Sequence, residues 1–248
     1  MEFENKSAII TGGASGMGFL TAKCLAKEGA NVLLVDVNEE ALVEKAAEIR
    51  AEGIGKVEYA VCDVRQYEQV TAAAEQAVKA FGRIDILVNC AGGCERRCNH
   101  YEGDWLDMPS EIFDWGVDVN LKGPYYFSQA VMRQMVKQKS GVIIYLGSIC
   151  GEEAALSMAY SVSKAGLMNA LVKSMAIYGA PHHVRAVCVS PGPVLTREAM
   201  GKLRTLAGRA AEPQEVVDFI LYLASDKAAF ITGSNHFIDG GRIAMTRG

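Results

Sequence analysis

Seven short apolar runs rich in β-branched residues, most of them separated by helix-length segments, constrain the fold more than any other feature of this chain. They read SAII (7–10), NVLLV (31–35), VEYAV (57–61), IDILV (84–88), VIIYL (142–146), VRAVCV (184–189) and HFI (236–238). Segments such as 38–52 and 66–81 carry helical periodicity between them. Strand–helix–strand alternation of this kind predicts right-handed crossovers and a parallel sheet covered on both faces. No linker, repeat or low-complexity stretch divides the chain, and 248 residues, 50% of them hydrophobic, suffice for one core. A single α/β domain over 1–248 is therefore expected. Open parallel sheets bind ligands beyond the carboxyl ends of their strands, so the informative residues should follow the strands directly.

Composition removes several function classes. A formal net charge of −4 offers no electrostatic case for nucleic acid. The opening MEFENKSAII does not read as a signal peptide, and no apolar run approaches the ~18 residues that cross a bilayer, so no membrane partner is expected. Seven cysteines, an odd number scattered over a full-sized domain, suit a reducing, cytoplasmic compartment. Cys90, Cys94 and Cys98 lie near His100, but their spacing is not that of a zinc pair. They are expected to be ordinary thiols, with no metal bound.

After the first strand comes TGGASGMGF (11–19), in which Gly12, Gly16 and Gly18 permit a tight turn and a close backbone approach. The amides that open the following helix would face an anion there. The second strand ends in LLVDVN, and Asp36 lies where an acid can accept hydrogen bonds from an adenosine ribose. No Arg or Lys stands at Ala14, Ser15, Val37 or Asn38 to offset a 2′-phosphate beside that carboxylate. NAD is expected in preference to NADP.

Further on, AYSVSK (159–164) sets Tyr160 and Lys164 four apart, on one helix face, twelve residues after Ser148 of LGSIC. A phenol titrates near ~10, and a neighbouring ammonium lowers that value by favouring phenolate. The pair is suited to moving a proton to or from an alcohol oxygen.

Taken in order, these stretches resemble the short-chain dehydrogenase/reductase family along essentially the whole chain. TGGASGMG resembles its cofactor loop, CDV (62–64) its adenine-contacting Asp-Val, and NCAG (89–92) its Asn-Asn-Ala-Gly turn with Cys90 in place of the second Asn. DVNLKG with Asn120, GS at 147–148, YSVSK at 160–164 and PGPVLT at 191–196 complete the set. The resemblance implies a doubly wound Rossmann-type fold with a seven-stranded, mainly parallel sheet in the order 3-2-1-4-5-6-7. It implies NAD contacts from Gly12, Ser15, Gly16, Met17, Gly18, Asp36, Asp63, Val64, Asn89, Pro191, Val194 and Thr196. Tyr160 would exchange a proton with the substrate oxygen, and Lys164 would lower the phenol's pKa and bond the nicotinamide ribose. Ser148 would hold the substrate oxygen. Asn120 would support a water that links Lys164 to solvent.

Two segments depart from the family's proportions: 92–111 is a few residues longer than the usual connection, and 196–213 is about ten shorter than the usual substrate lid. Both border the expected pocket. Glu152 and Glu153 would suit a sugar or polyol, whereas Arg96 and Arg97 would suit a carboxylate, sulfonate or phosphate. His100 is expected to be a loop histidine. Segments 121–136 and 160–180 are apolar or small on nearly every side and should pack against a second copy, in a dimer or tetramer. The expected activity interconverts a secondary alcohol and a ketone on a small polar substrate. The alternatives are a ketoreductase for cyclic or hydrophobic ketones and a non-catalytic NAD-binding regulator, which should have lost part of the Asn120/Ser148/Tyr160/Lys164 set. An epimerase or dehydratase would carry a sizeable region beyond the last strand.

Overall fold

The computed structural model describes residues 1–52 and 55–245. Its strands are β1 (Ser7–Thr11), β2 (Asn31–Asp36), β3 (Val57–Val61), β4 (Ile86–Asn89), β5 (Gly141–Leu146), β6 (Val184–Pro191) and β7 (Ser234–Ile238). They form one sheet in the order β3-β2-β1-β4-β5-β6-β7, as expected, with every neighbouring pair parallel. Such a sheet needs cover on both faces. The helices that provide it, with two short ones at the rim, are α1 (Gly16–Lys27), α2 (Glu39–Ala51), α3 (Tyr67–Phe81), α4 (Glu95–Cys98), α5 (Ser110–Val117), α6 (Gly123–Gln138), α7 (Cys150–Glu153), α8 (Met158–Gly166), α9 (Val172–Gly179) and α10 (Pro213–Ala224).

Side chains two apart on a strand share a face, and the two cores follow that rule. Ile10, Leu34, Val88 and Ile144 pack in one core with Leu25 of α1, Leu42 of α2 and Ile220 of α10. Their neighbours Ile9, Leu33, Leu87 and Ile143 pack on the opposite face with Val70 of α3, Phe127 of α6 and Val172 of α9. The fourth strand starts two residues later than the apolar run suggests. There the Asp85 carboxylate accepts the Ser7 amide at 2.9 Å and holds Arg83 at 2.6 Å.

The two apolar helical segments are more elaborate than the sequence indicates. α5 runs into α6 through a π turn at Asp118–Lys122, and α8 into α9 through another at Leu167–Leu171. In the first, Pro124 has no N–H to donate to the Asn120 carbonyl one turn back, so a regular α-helical ladder cannot pass through this point. Both π turns adjoin the carboxyl edge of the sheet. No helix among the described residues is long and apolar enough to cross a membrane.

Candidate active site

A cleft of about 450 Å³ opens along the carboxyl ends of β1, β2 and β4. Of the residues expected to contact the cofactor, Gly12, Ser15, Gly16, Met17, Gly18, Asp36, Asp63, Val64 and Thr196 line it. Gly12 has φ +68°, and a Cβ there would come within 2.9 Å of the Ala91 amide nitrogen. At Gly18 a Cβ would collide with the Gly12 carbonyl oxygen. Ser15, the N-cap of α1, makes no side-chain cap bond, and the first turn holds no acid. The leading amides of a twelve-residue helix are thus left to an anion in the cleft.

Asp36 closes the far end. Its Oδ1 accepts from the amides of Val37 (2.8 Å) and Asn38 (3.2 Å), and its Oδ2 more distantly from Ala14 (3.3 Å). Arg65 also lines the cleft, but it is chelated by Asp63 through contacts of 2.6–3.0 Å. Arg65 accordingly holds the Asp63 carboxyl below its ordinary range. Asn89, at the end of β4, is buried with neither amide atom hydrogen-bonded in the protein. The glycine cradle, the uncapped helix and the orphaned amide all fit a bound dinucleotide. Val194 and Pro191 are buried just beyond β6 and at its end and do not face the cleft; Thr196 does.

Beside the cleft, next to its lining residue Leu146, α8 brings Tyr160 near Ser148, whose hydroxyl accepts from the Cys150 amide at 3.1 Å. Lys164, 4% exposed, donates to the Leu146 carbonyl at 2.6 Å, and its ammonium lies 5.3 Å from the centre of the Tyr160 ring. The pKa pattern differs from the expectation. Burial pushes the Tyr160 phenol up to about 12, and the nearby Ser148 hydroxyl only partly reverses this. The same burial brings Lys164 down to about 8. Burial is the largest influence on both groups, and it favours the neutral form of each.

Asn120 sits in the first π turn, buried, its amide donating to the carbonyls of Gly93 (2.9 Å) and Gly116 (2.8 Å) and accepting from the Gly93 N–H (3.0 Å). Both side-chain donors are therefore engaged in pinning the 92–93 turn. The backbone carbonyl of Asn120 receives no N–H from Pro124. That signal, a proline four residues after the asparagine, is present in the sequence.

The candidate substrate contacts separate clearly. Arg97 lines the cleft and, among the described residues, has no carboxylate within ion-pair distance. Arg96 turns away, donating to the Gly103 carbonyl at 2.6 Å over the Tyr101 ring. Glu153 is paired with Arg242 at 3.0 Å, and Glu152 is exposed on α7. His100 is an exposed loop residue with φ +52°. Sequence reasoning did not single out Arg197, whose charge is felt by both Tyr160 and Cys98. It also overlooked Glu95, a loop acid with no motif around it. All seven cysteines are free, and no cluster of three metal-ligating residues occurs among the described residues.

The enoyl-(acyl carrier protein) reductase family model matches residues 12–242. Oxidoreductase UcpA of Salmonella typhimurium is 35% identical over 95% of this chain and 94% of its own length. The structure of 7α-hydroxysteroid dehydrogenase complexed with NADH and 7-oxo glycochenodeoxycholic acid superposes with a TM-score of 0.87 at 30% identity, covering 97% of this chain and 95% of that one. NAD+-bound xylitol dehydrogenase gives a TM-score of 0.87 at 28% identity, covering 97% and 100%. With the sheet order, the glycine cradle and the Ser148/Tyr160/Lys164 group in place, the chain belongs to the short-chain dehydrogenase/reductase family and is an NAD(H)-dependent oxidoreductase acting on an alcohol/ketone pair.

Proposed function

We propose that this enzyme oxidises a secondary alcohol that carries an acidic group, a small hydroxy acid or a relative of one, to the ketone. The observation that carries the reaction is the convergence of Ser148, Tyr160 and Lys164 beside the cleft. Ser148 holds the substrate oxygen, and Tyr160 exchanges that oxygen's proton. Lys164 keeps donors beyond its bond to Leu146 for a ribose. The Asn120 carbonyl holds the water through which Lys164 reaches solvent. When bound, NAD+ supplies the hydride-accepting ring and its positive charge. Gly12, Ser15, Gly16, Met17 and Gly18 receive the pyrophosphate and Asp36 the adenosine ribose, while Asp63 and Val64 flank adenine. Asn89 steadies the strand end beside the cofactor, and Pro191 and Val194 back the segment that brings Thr196 to the carboxamide.

The acidic group is supported by the sorting of the cleft-mouth charges. Glu153 has its cation in Arg242, whereas Arg97 faces the cleft without an anion. A guanidinium in that position recognises a carboxylate or phosphate through paired N–H donors. A panel of neutral polyols, cyclic alcohols and hydroxy acids, read by NADH formation, tests it. Hydroxy acids should lead the panel, and Arg97→Ala should raise their KM about 10-fold or more, the worth of one charge-assisted contact. Equal KM in the variant, or a preference for neutral polyols, would overturn the assignment.

The enzyme works as a homo-oligomer in a reducing cytoplasm. Seven free thiols suit that compartment. Between α6 and α9 lies a groove lined by Tyr125, Met132, Val136, Met175 and Tyr178, flanked by exposed Ile177. A second copy of the same face would cover these apolar side chains in an isologous contact.

A further inference from the structure

Two carboxylates are buried among the described residues. Asp85 is satisfied by Arg83. Glu95, 0% exposed, has no basic partner within ion-pair distance. Burying a charge is costly unless hydrogen bonds replace its water, and here two bonds, both long, come from a helix terminus. Glu95 Oε1 accepts the backbone N–H of Ala159 at 3.3 Å, and Oε2 accepts that of Tyr160 at 3.2 Å. These are the amides that open α8. The helix's own N-cap, Ser157, makes no cap bond; its Oγ instead lies 2.9 Å from Cys94 Sγ. The cap of α8 thus comes from the long 92–111 connection, more than sixty residues away in sequence. Gly116 of α5 makes room for it: a Cβ there would stand 3.0 Å from that of Glu95 and 2.5 Å from that of Ala159. Glu95 is wedged between two helices and bonded to the backbone of the residue whose phenol meets Ser148.

We propose that Glu95 is a positioning residue for the reaction: its carboxylate clamps the first turn of α8 and thereby fixes the Tyr160 phenol against Ser148. This rests on Tyr160 being the proton-transfer group. It assigns the long connection a task, since α4 docks through Glu95 on the helix that carries Tyr160 and places Arg97 over the cleft from the same four residues. A reacting group displaced by ~1 Å costs about 100-fold in rate, so loosening this turn should appear in kcat rather than in cofactor affinity.

The test uses the full chain with NAD+ and the variants Glu95→Gln, which keeps one acceptor oxygen, and Glu95→Ala. Three readouts are taken: amide exchange of the peptide spanning 158–161, the NAD+ Kd, and kcat and KM for racemic 3-hydroxybutyrate. Ser128→Ala serves as the stability control. It breaks a buried 2.7 Å bond to Tyr145, and neither residue lines the cleft. The expected result is kcat lower by about 10-fold in Glu95→Gln and about 100-fold in Glu95→Ala. NAD+ Kd should stay within about twofold, KM for the probe should rise as α4 carries Arg97 out of place, and exchange should speed up at 158–161. Ser128→Ala should lower the Tm with unchanged kcat. The proposal is overturned if Glu95→Ala keeps wild-type kcat, if kcat merely follows Tm in all three variants, or if NAD+ affinity falls in step. Should wild type not oxidise the probe, unchanged exchange at 158–161 in both variants overturns it, and acceleration confined to that peptide supports it. A Tyr160→Phe control separates the failures: full turnover there sinks the proton-transfer reading, while a dead Tyr160→Phe beside an active Glu95→Ala sinks only the clamp.

Discussion

Replacing Lys164 by methionine should make the cofactor-free protein more stable at neutral pH while removing its activity. The ammonium is 4% exposed, and burial brings its pKa from 10.5 down to about 8. At ~1.4 kcal/mol per pH unit, that depression corresponds to about 3 kcal/mol against the folded state whenever the group is protonated. Methionine fills the same space without charge and forfeits the bond to the Leu146 carbonyl, which is worth about 1 kcal/mol. A net gain of about 2 kcal/mol, or roughly 4–8 °C in Tm for a chain of this size, is expected near pH 6.5. The sign with pH follows from the depressed folded-state pKa. Below about 8 both folded and unfolded states hold the proton, and the cost is fully present. Between 8 and 10.5 the unfolded chain holds more protons than the folded one, so wild type gains stability as pH rises. The advantage of the variant should therefore shrink to about zero near pH 9.5. Thermal melts of both proteins at one protomer concentration, without NAD, measure it. Comparison with wild type cancels Cys62, Tyr145 and Tyr160, whose raised pKa values lower stability in the alkaline range; Cys90 and Cys188 cancel only in part, because the Lys164 charge acts on both thiols. A variant that is less stable than wild type at pH 6.5, or an offset that does not change with pH, would refute the reasoning.

Asp36→Ala should weaken NAD+ binding by at least about 10-fold, the worth of a hydrogen bond to a charged group, and shift the NADP+/NAD+ preference toward NADP+ by a similar factor in fluorescence titrations. Arg65 will not rescue a 2′-phosphate fully, because Asp63 holds it. Light scattering at micromolar concentration should show a dimer or tetramer; a monodisperse monomer would contradict the pairing of the α6/α9 face.

The strands were legible because parallel strands buried on both faces are almost continuously apolar, as in Asn31–Asp36 and Val184–Pro191. Asp36 and the glycine loop were legible because a turn at a strand end has few chemical solutions. The π turn at Asn120 was missed, although Pro124 signals it, because periodicity shows that a segment is helical and not which hydrogen-bond register it adopts. Glu95 was beyond reach for another reason: an acid in a polar loop looks solvated until the fold brings Gly116 and α8 around it. The pKa pair failed similarly. Spacing puts Lys164 beside Tyr160, but burial decides which of the two effects dominates, and burial is a property of the assembled pocket.

The account depends on the Tyr160 hydroxyl, and deleting that one oxygen is the most direct trial. Tyr160→Phe should leave the NADH Kd within about twofold and cut kcat for an alcohol that wild type oxidises by about 100-fold or more, the range of general acid–base catalysis. Wild-type turnover by the phenylalanine variant would contradict it.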